Sequence, residues 1–146
     1  YTFLPWDFQR GASGARGEGL NEARLFRMLE QSPARTLLLL DTCDAGGMVE
    51  LLPGAYERLN SVQQRAVIGA SRERELAREG YDGHGVFTAA LLQTLAAPRG
   101  GETLDVPALY AEVRTGVKQI SQRMPGHYLQ NVKGNIGQAE FPLVRR

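Results

Sequence analysis

The stretch TLLLLDTCDAGG, residues 36–47, decides the reading of the fold. Residues 36–40 carry no charge, and four of the five are leucine. A run this short and this continuously apolar, closed by an acid, reads as a central strand of a parallel sheet covered on both faces. An amphipathic helix would interleave polar residues at a period of 3.6. Past the strand come Asp41, Thr42 and Cys43, then Asp44, Ala45 and two glycines that let the chain turn sharply. Cys43 is the only cysteine in the chain.

The rest of the sequence supplies alternating elements around this strand. QRGASGARGEG (9–19) reads as a flexible surface loop. LNEARLFRMLEQ (20–31) places Leu20, Ala23, Phe26 and Leu29 on one helical face, and Ser32-Pro33 stops it. A less amphipathic helix is expected over 55–65, a second short buried strand over 66–70 and a charged loop over 71–85. VFTAALLQTLA (86–96) reads as an apolar helix packed on the sheet, and residues 98–102 as a turn. Over 105–120, Val106, Leu109, Val113, Val117 and Ile120 step by three and four, with Asp105 placed to cap the start. Residues 139–144 read as a closing strand, held near a sheet edge by Pro142. Strand, helix, strand, helix is the order of an open, mostly parallel α/β sheet with helices on both faces.

Composition narrows the function. At 146 residues the chain suits one domain with a real core. A net charge of +1 gives no electrostatic case for nucleic acid or an anionic membrane. No apolar run approaches the roughly 20 residues needed to span a bilayer. One cysteine forms no internal disulfide, which fits a reducing compartment such as the cytoplasm. Two histidines and one cysteine, far apart, give no zinc-site spacing. No dense carboxylate loop of calcium-site type is present. No cofactor is expected, and calcium dependence stays open.

A lone cysteine is most often a small buried apolar side chain. Here it stands two residues after an acid at the exit of a strand, where an open α/β sheet places its ligand site. Acids are almost never fully buried unless paired, so Asp41 and Asp44 mark this turn as open, with Asp44 facing solvent. Two nearby carboxylates raise a thiol's pKa, so the group that generates a thiolate must come from elsewhere, a histidine being the usual one.

LLLLDTCDAGG (37–47) resembles the nucleophile segment of caspase-like cysteine peptidases, the clan of caspases, metacaspases and bacterial relatives. In these a hydrophobic strand ends in Asp, followed by Ser or Thr, the catalytic Cys, a variable residue, a small residue and Gly. The likeness extends to YTFLPWD (1–7), AVIGASRERELAREG (66–80), GHGVFTAALLQTL (83–95) and QAEFPLV (138–144). The resemblance implies a caspase-like fold and a cysteine endopeptidase with Cys43 as nucleophile. It implies that Asp41 lines the primary specificity pocket and selects Arg or Lys in a protein or peptide substrate. Ser71 and Arg72 are expected beside bound substrate, which pairs as an extended strand in this family. Glu73 or Glu75 would add negative potential near the pocket. The family's general-base histidine stands about 50 residues before the cysteine, so it is expected upstream of Tyr1. The chain then corresponds to the later part of the domain, needs the histidine-bearing part as its partner and is inactive alone. His84, 41 residues after the cysteine, is the alternative base, and His127 reads as a surface or packing residue. The contrasting reading is a non-catalytic caspase-like binding or regulatory module, which the intact cysteine disfavours.

Overall fold

A computed structural model of the protein describes residues 2–3, 9–11, 14–16, 19–50, 64–126 and 128–145. The chain gathers into two compact units, Tyr1–Ala34 and Arg35–Arg146. In the first, β1 (Thr2–Phe3), β2 (Gln9–Gly11), β3 (Gly14–Arg16) and β4 (Leu20–Asn21) pair antiparallel as β1 with β4 and β2 with β3. The flexible loop expected over 9–19 is thus corrected for its described residues Gln9–Gly11 and Gly14–Arg16, which are paired strands. α1 (Glu22–Gln31) starts at Asn21, whose side-chain oxygen accepts the Arg24 N–H at 2.9 Å. It ends at Ser32, just before the proline that bars a further turn.

The second unit is mixed α/β. β5 (Thr36–Leu40) coincides with the apolar run and is followed by α2 (Ala45–Glu50). β6 (Arg65–Gly69) lies parallel to β5, with Thr36 opposite Arg65 and Leu40 opposite Gly69. α3 (Val86–Ala96), β7 (Thr103–Asp105), α4 (Val106–Arg123), β8 (Lys133–Asn135) and β9 (Pro142–Arg145) complete it. β8 joins the far side of β6 antiparallel, giving the order β5-β6-β8, while β7 and β9 form a separate antiparallel pair. The expected mostly parallel sheet is therefore a small mixed one. Parallel strands announce themselves by continuous apolar runs, and Lys133–Asn135 has none. The helix expected over 55–65 falls largely in 51–63, outside the described residues.

Alternation along β6 sets the layers. Ile68, and Ala70 just past the strand, fall among buried side chains of α3 and α4, including Val86, Phe87, Leu109 and Val113, while Ala66 packs with Val106 of α4, Ala139 and Phe141. Gly69 is out of phase with them and faces α2: a Cβ on Gly69 would stand 2.9 Å from the Cβ of Ala45. Helices therefore lie on both faces of β6. On α4 the stepped set Val106, Leu109, Val113, Val117 and Ile120 is buried, and each such side chain contributes about 1.5–3 kcal/mol. Asp105 caps this helix by accepting the Ala108 N–H at 2.8 Å. β5 is covered less than expected. Among the described residues it pairs only with β6, and of its five residues only Leu40 is buried. No described helix is long and apolar enough to cross a membrane.

One ion pair clamps α3 to α4. Arg99 donates to both carboxylate oxygens of Glu112, at 3.0 and 2.7 Å, and to the Thr94 carbonyl at 3.1 Å. The hydrogen bond from Arg99 holds the Glu112 carboxyl below its ordinary value of 4.5. A carboxyl lowered by folding contributes stability above its unfolded pKa and loses it as pH falls through the folded value. Glu112→Gln should therefore lower Tm modestly at pH 7, because the pair is partly exposed. The gap from wild type should close below about pH 4.5, in melts followed by circular dichroism. A gap that widens on acidification would contradict the clamp.

Candidate active site

The chain leaves β5 at Asp41 and turns through Thr42, Cys43 and Asp44 into α2. Asp44 takes a left-handed φ of 60°, a conformation that Asp tolerates better than most residues. It does not simply face solvent, as its sequence position suggests. Its carboxylate accepts the Arg74 N–H at 2.5 Å and its own N–H donates to the Glu75 carbonyl at 2.9 Å. Glu75 in turn accepts the Arg72 N–H at 2.9 Å, the Asn131 N–H at 3.1 Å and the Asn131 side-chain amide at 2.8 Å. Farther along, the Arg78 N–H donates to Gln130 Oε1 at 2.8 Å, and Gln130 Nε2 donates to the Ala70 carbonyl at 2.9 Å. The charged loop 72–79 is thereby fastened to the turn that carries the cysteine. Glu75 is occupied with this fastening, while Glu73 is exposed.

Cys43 is exposed, a free thiol with Sγ 3.9 Å from the Ala77 carbonyl oxygen. Among the described residues its backbone N–H meets no acceptor. The thiol and this N–H lie at the carboxyl end of the parallel strand β5, the end where open α/β sheets bind their ligands.

Asp41 is exposed, and its Oδ2 accepts the Thr88 hydroxyl from the first turn of α3 at 2.5 Å. Glu79 converges on the same place. A Cβ on Gly85, the N-cap of α3, would stand 3.3 Å from Asp41 Oδ2 and 3.2 and 3.3 Å from the two Glu79 oxygens. Gly85 is itself buried, and its lack of a side chain lets both carboxylates approach its backbone closely. Among the described residues neither carboxylate has a basic partner. The amino end of α3 carries partial positive charge that favours acids there.

No family model, curated protein or solved structure matches this chain.

The remaining candidates divide. Ser71 is fully buried and donates to the Thr42 carbonyl at 3.3 Å, so it fixes the backbone just before the cysteine and leaves only main chain to offer a ligand. Arg72 is exposed and presses its backbone on α2. A Cβ on Gly46 would stand 2.5 Å from Arg72 Cα, 2.6 Å from its carbonyl carbon and 2.7 Å from Glu73 N. His84 closes a tight hairpin in which Tyr81 and His84 exchange N–H···O bonds at 2.9 Å across Asp82 and Gly83, both at positive φ. Its side chain is exposed, and no hydrogen bond joins it to Cys43. His127 lies outside the described residues. Among the described residues no three His, Cys, Asp or Glu side chains gather where they would hold a metal ion.

Glu79, Thr88 and Gln130 were not singled out by the sequence. Thr88 carries a faint signal as a hydroxyl in the otherwise apolar first turn of α3. Glu79 is one of several acids in a charged run, and nothing local distinguishes it.

Gly46→Ala tests the brace between loop and nucleophile turn. Its Cβ would overlap the backbone of Arg72 and Glu73, and overpacking of this kind costs about 1–3 kcal/mol. A Tm lowered by roughly 3 °C or more is expected in a domain of this size. An unchanged Tm would mean that residues 72–73 yield freely.

Proposed function

We propose that the chain carries the nucleophile of a caspase-like cysteine endopeptidase that cleaves after Arg or Lys in a reducing compartment such as the cytoplasm. The observation that carries this reading is the exposed Cys43 at the carboxyl end of β5, its N–H unengaged among the described residues, with the Asp41 and Glu79 carboxylates gathered at Gly85 on the neighbouring helix end. The Cys43 thiolate attacks the scissile carbonyl carbon, and the carbonyl oxygen gains the negative charge. The Cys43 N–H donates to that oxyanion. The C–N bond then breaks and the amine leaves with a proton from a histidine, which the family places about 50 residues before the nucleophile. Water attacks the acyl-enzyme, and the carboxylate product and free thiol return.

The paired acids support a basic specificity. Two carboxylates without a cation repel each other, and a guanidinium or ammonium side chain between them relieves that repulsion. An aspartate side chain would add to it. Ser71 anchors the backbone beside the nucleophile turn, but residues 70–71 bend and residues 72–75 form a turn closed by the Glu75 N–H on the Arg72 carbonyl at 3.2 Å, so this segment lends no support to the strand-like pairing with a peptide expected there. Assays of the full-length protein on otherwise identical peptides ending in Arg, Lys or Asp should show cleavage of the first two. Preference for Asp, or cleavage of none, would overturn the proposal.

A further inference from the structure

An open pocket of about 440 Å³ is lined by Arg72, Tyr110, Arg114, Val132, Lys133 and Gly134. Three of these side chains are cationic, one is a phenol and none is acidic. Among the described residues the guanidinium groups of Arg72 and Arg114 have neither a hydrogen-bond nor an ion-pair partner. Arg99, on the same unit, shows the alternative: its fork is filled by Glu112. Like charges gathered in one pocket repel, and the arrangement becomes favourable when an anion enters.

The shape fits the charge. A Cβ on Gly134 would stand 2.7 Å from Tyr110 Cε2 and 2.9 Å from Cζ, so the ring lies against bare β8 backbone. The Tyr110 hydroxyl has no hydrogen-bond partner among the described residues. Arginine forks match the oxygens of a phosphate in pairs, and lysine adds a point charge. A phosphate monoester carries about −1.5 to −2 charges at neutral pH, against −1 for a carboxylate, and so answers three cations better. The chain's net charge of +1 hides this local excess.

We propose that this pocket binds a phosphate group. The carrier is a small phosphorylated compound or a phosphorylated side chain of a peptide, and both present the same dianionic oxygens. Calorimetric titration of the full-length protein at low salt, with pyrophosphate and with a phosphoserine peptide beside its unmodified counterpart, tests it. Saturable binding of at least one phosphate probe is expected. It should weaken at least tenfold in Arg114→Gln and in Lys133→Gln. It should persist in Lys118→Gln, one turn farther along α4 and outside the lining. Tighter binding of the phosphopeptide assigns the site to a modified side chain, and tighter binding of pyrophosphate assigns it to a free compound. Saturable binding of neither probe, or an equal loss in Lys118→Gln, would overturn the site.

Discussion

Cys43→Ala is expected to lower peptide hydrolysis by the full-length protein by a factor on the order of 10⁴ or more, the scale seen when a covalent nucleophile is removed. Folding should be untouched. The side chain is exposed, and among the described residues the hydrogen-bond contact of its sulfur is a long approach to the Ala77 carbonyl. Surface changes of this kind stay within about 0.5 kcal/mol of wild type. Loss of activity with an unchanged melt separates a reacting thiol from a structural one. Full activity in Cys43→Ala would remove the enzyme reading, and a large fall in Tm would show that the thiol is part of the core.

The second large effect belongs to the acid pair. Truncating one partner of a desolvated charge pair costs about 2–5 kcal/mol. At about 1.4 kcal/mol per tenfold, Asp41→Ala should lower kcat/KM for Arg substrates by roughly 30-fold or more. Glu79→Gln should lower it in the same direction, because both carboxylates border the space above Gly85. The stability cost of Asp41→Ala should be small, about the 0.5–1.5 kcal/mol of the bond from Thr88. Gly85→Ala supplies an independent check, since its methyl group enters the space between the acids and should weaken binding of a basic side chain without changing any charge. Wild-type kinetics on Arg substrates in Asp41→Ala would return Asp41 to the role of a partner for Thr88.

Much of the frame was readable in the residues, for reasons that can be named. TLLLL marked β5 to the residue, because a continuous apolar run of five bounded by polar residues has few other uses. The stepped valines and leucines of 106–120 marked α4, and Asp105 marked its start, because a helix with one buried face must repeat with the period of its turns. β7 and β8 were not readable: each has three residues and is paired through its backbone, which leaves no period in the side chains. The site was legible only in part. Asp41 and Cys43 lie together in sequence, whereas Glu79 and Thr88 come 38 and 47 positions after Asp41, and tertiary folding alone brings their oxygens to it. Asp44 looked like a free surface acid because its partner, the Arg74 N–H, is a backbone group that composition does not reveal.

The central claim is that Cys43 attacks carbonyl carbons presented by basic residues, and covalent trapping tests it most directly. The full-length protein would be incubated with peptidyl chloromethylketones ending in Arg or Asp, digested and analysed by mass spectrometry. The account predicts one adduct, on the peptide containing Cys43, formed much faster by the Arg reagent than by the Asp reagent and slowed by Asp41→Ala. Labelling of Cys43 at equal rates by the two reagents, at the rate of an ordinary free thiol, would contradict it.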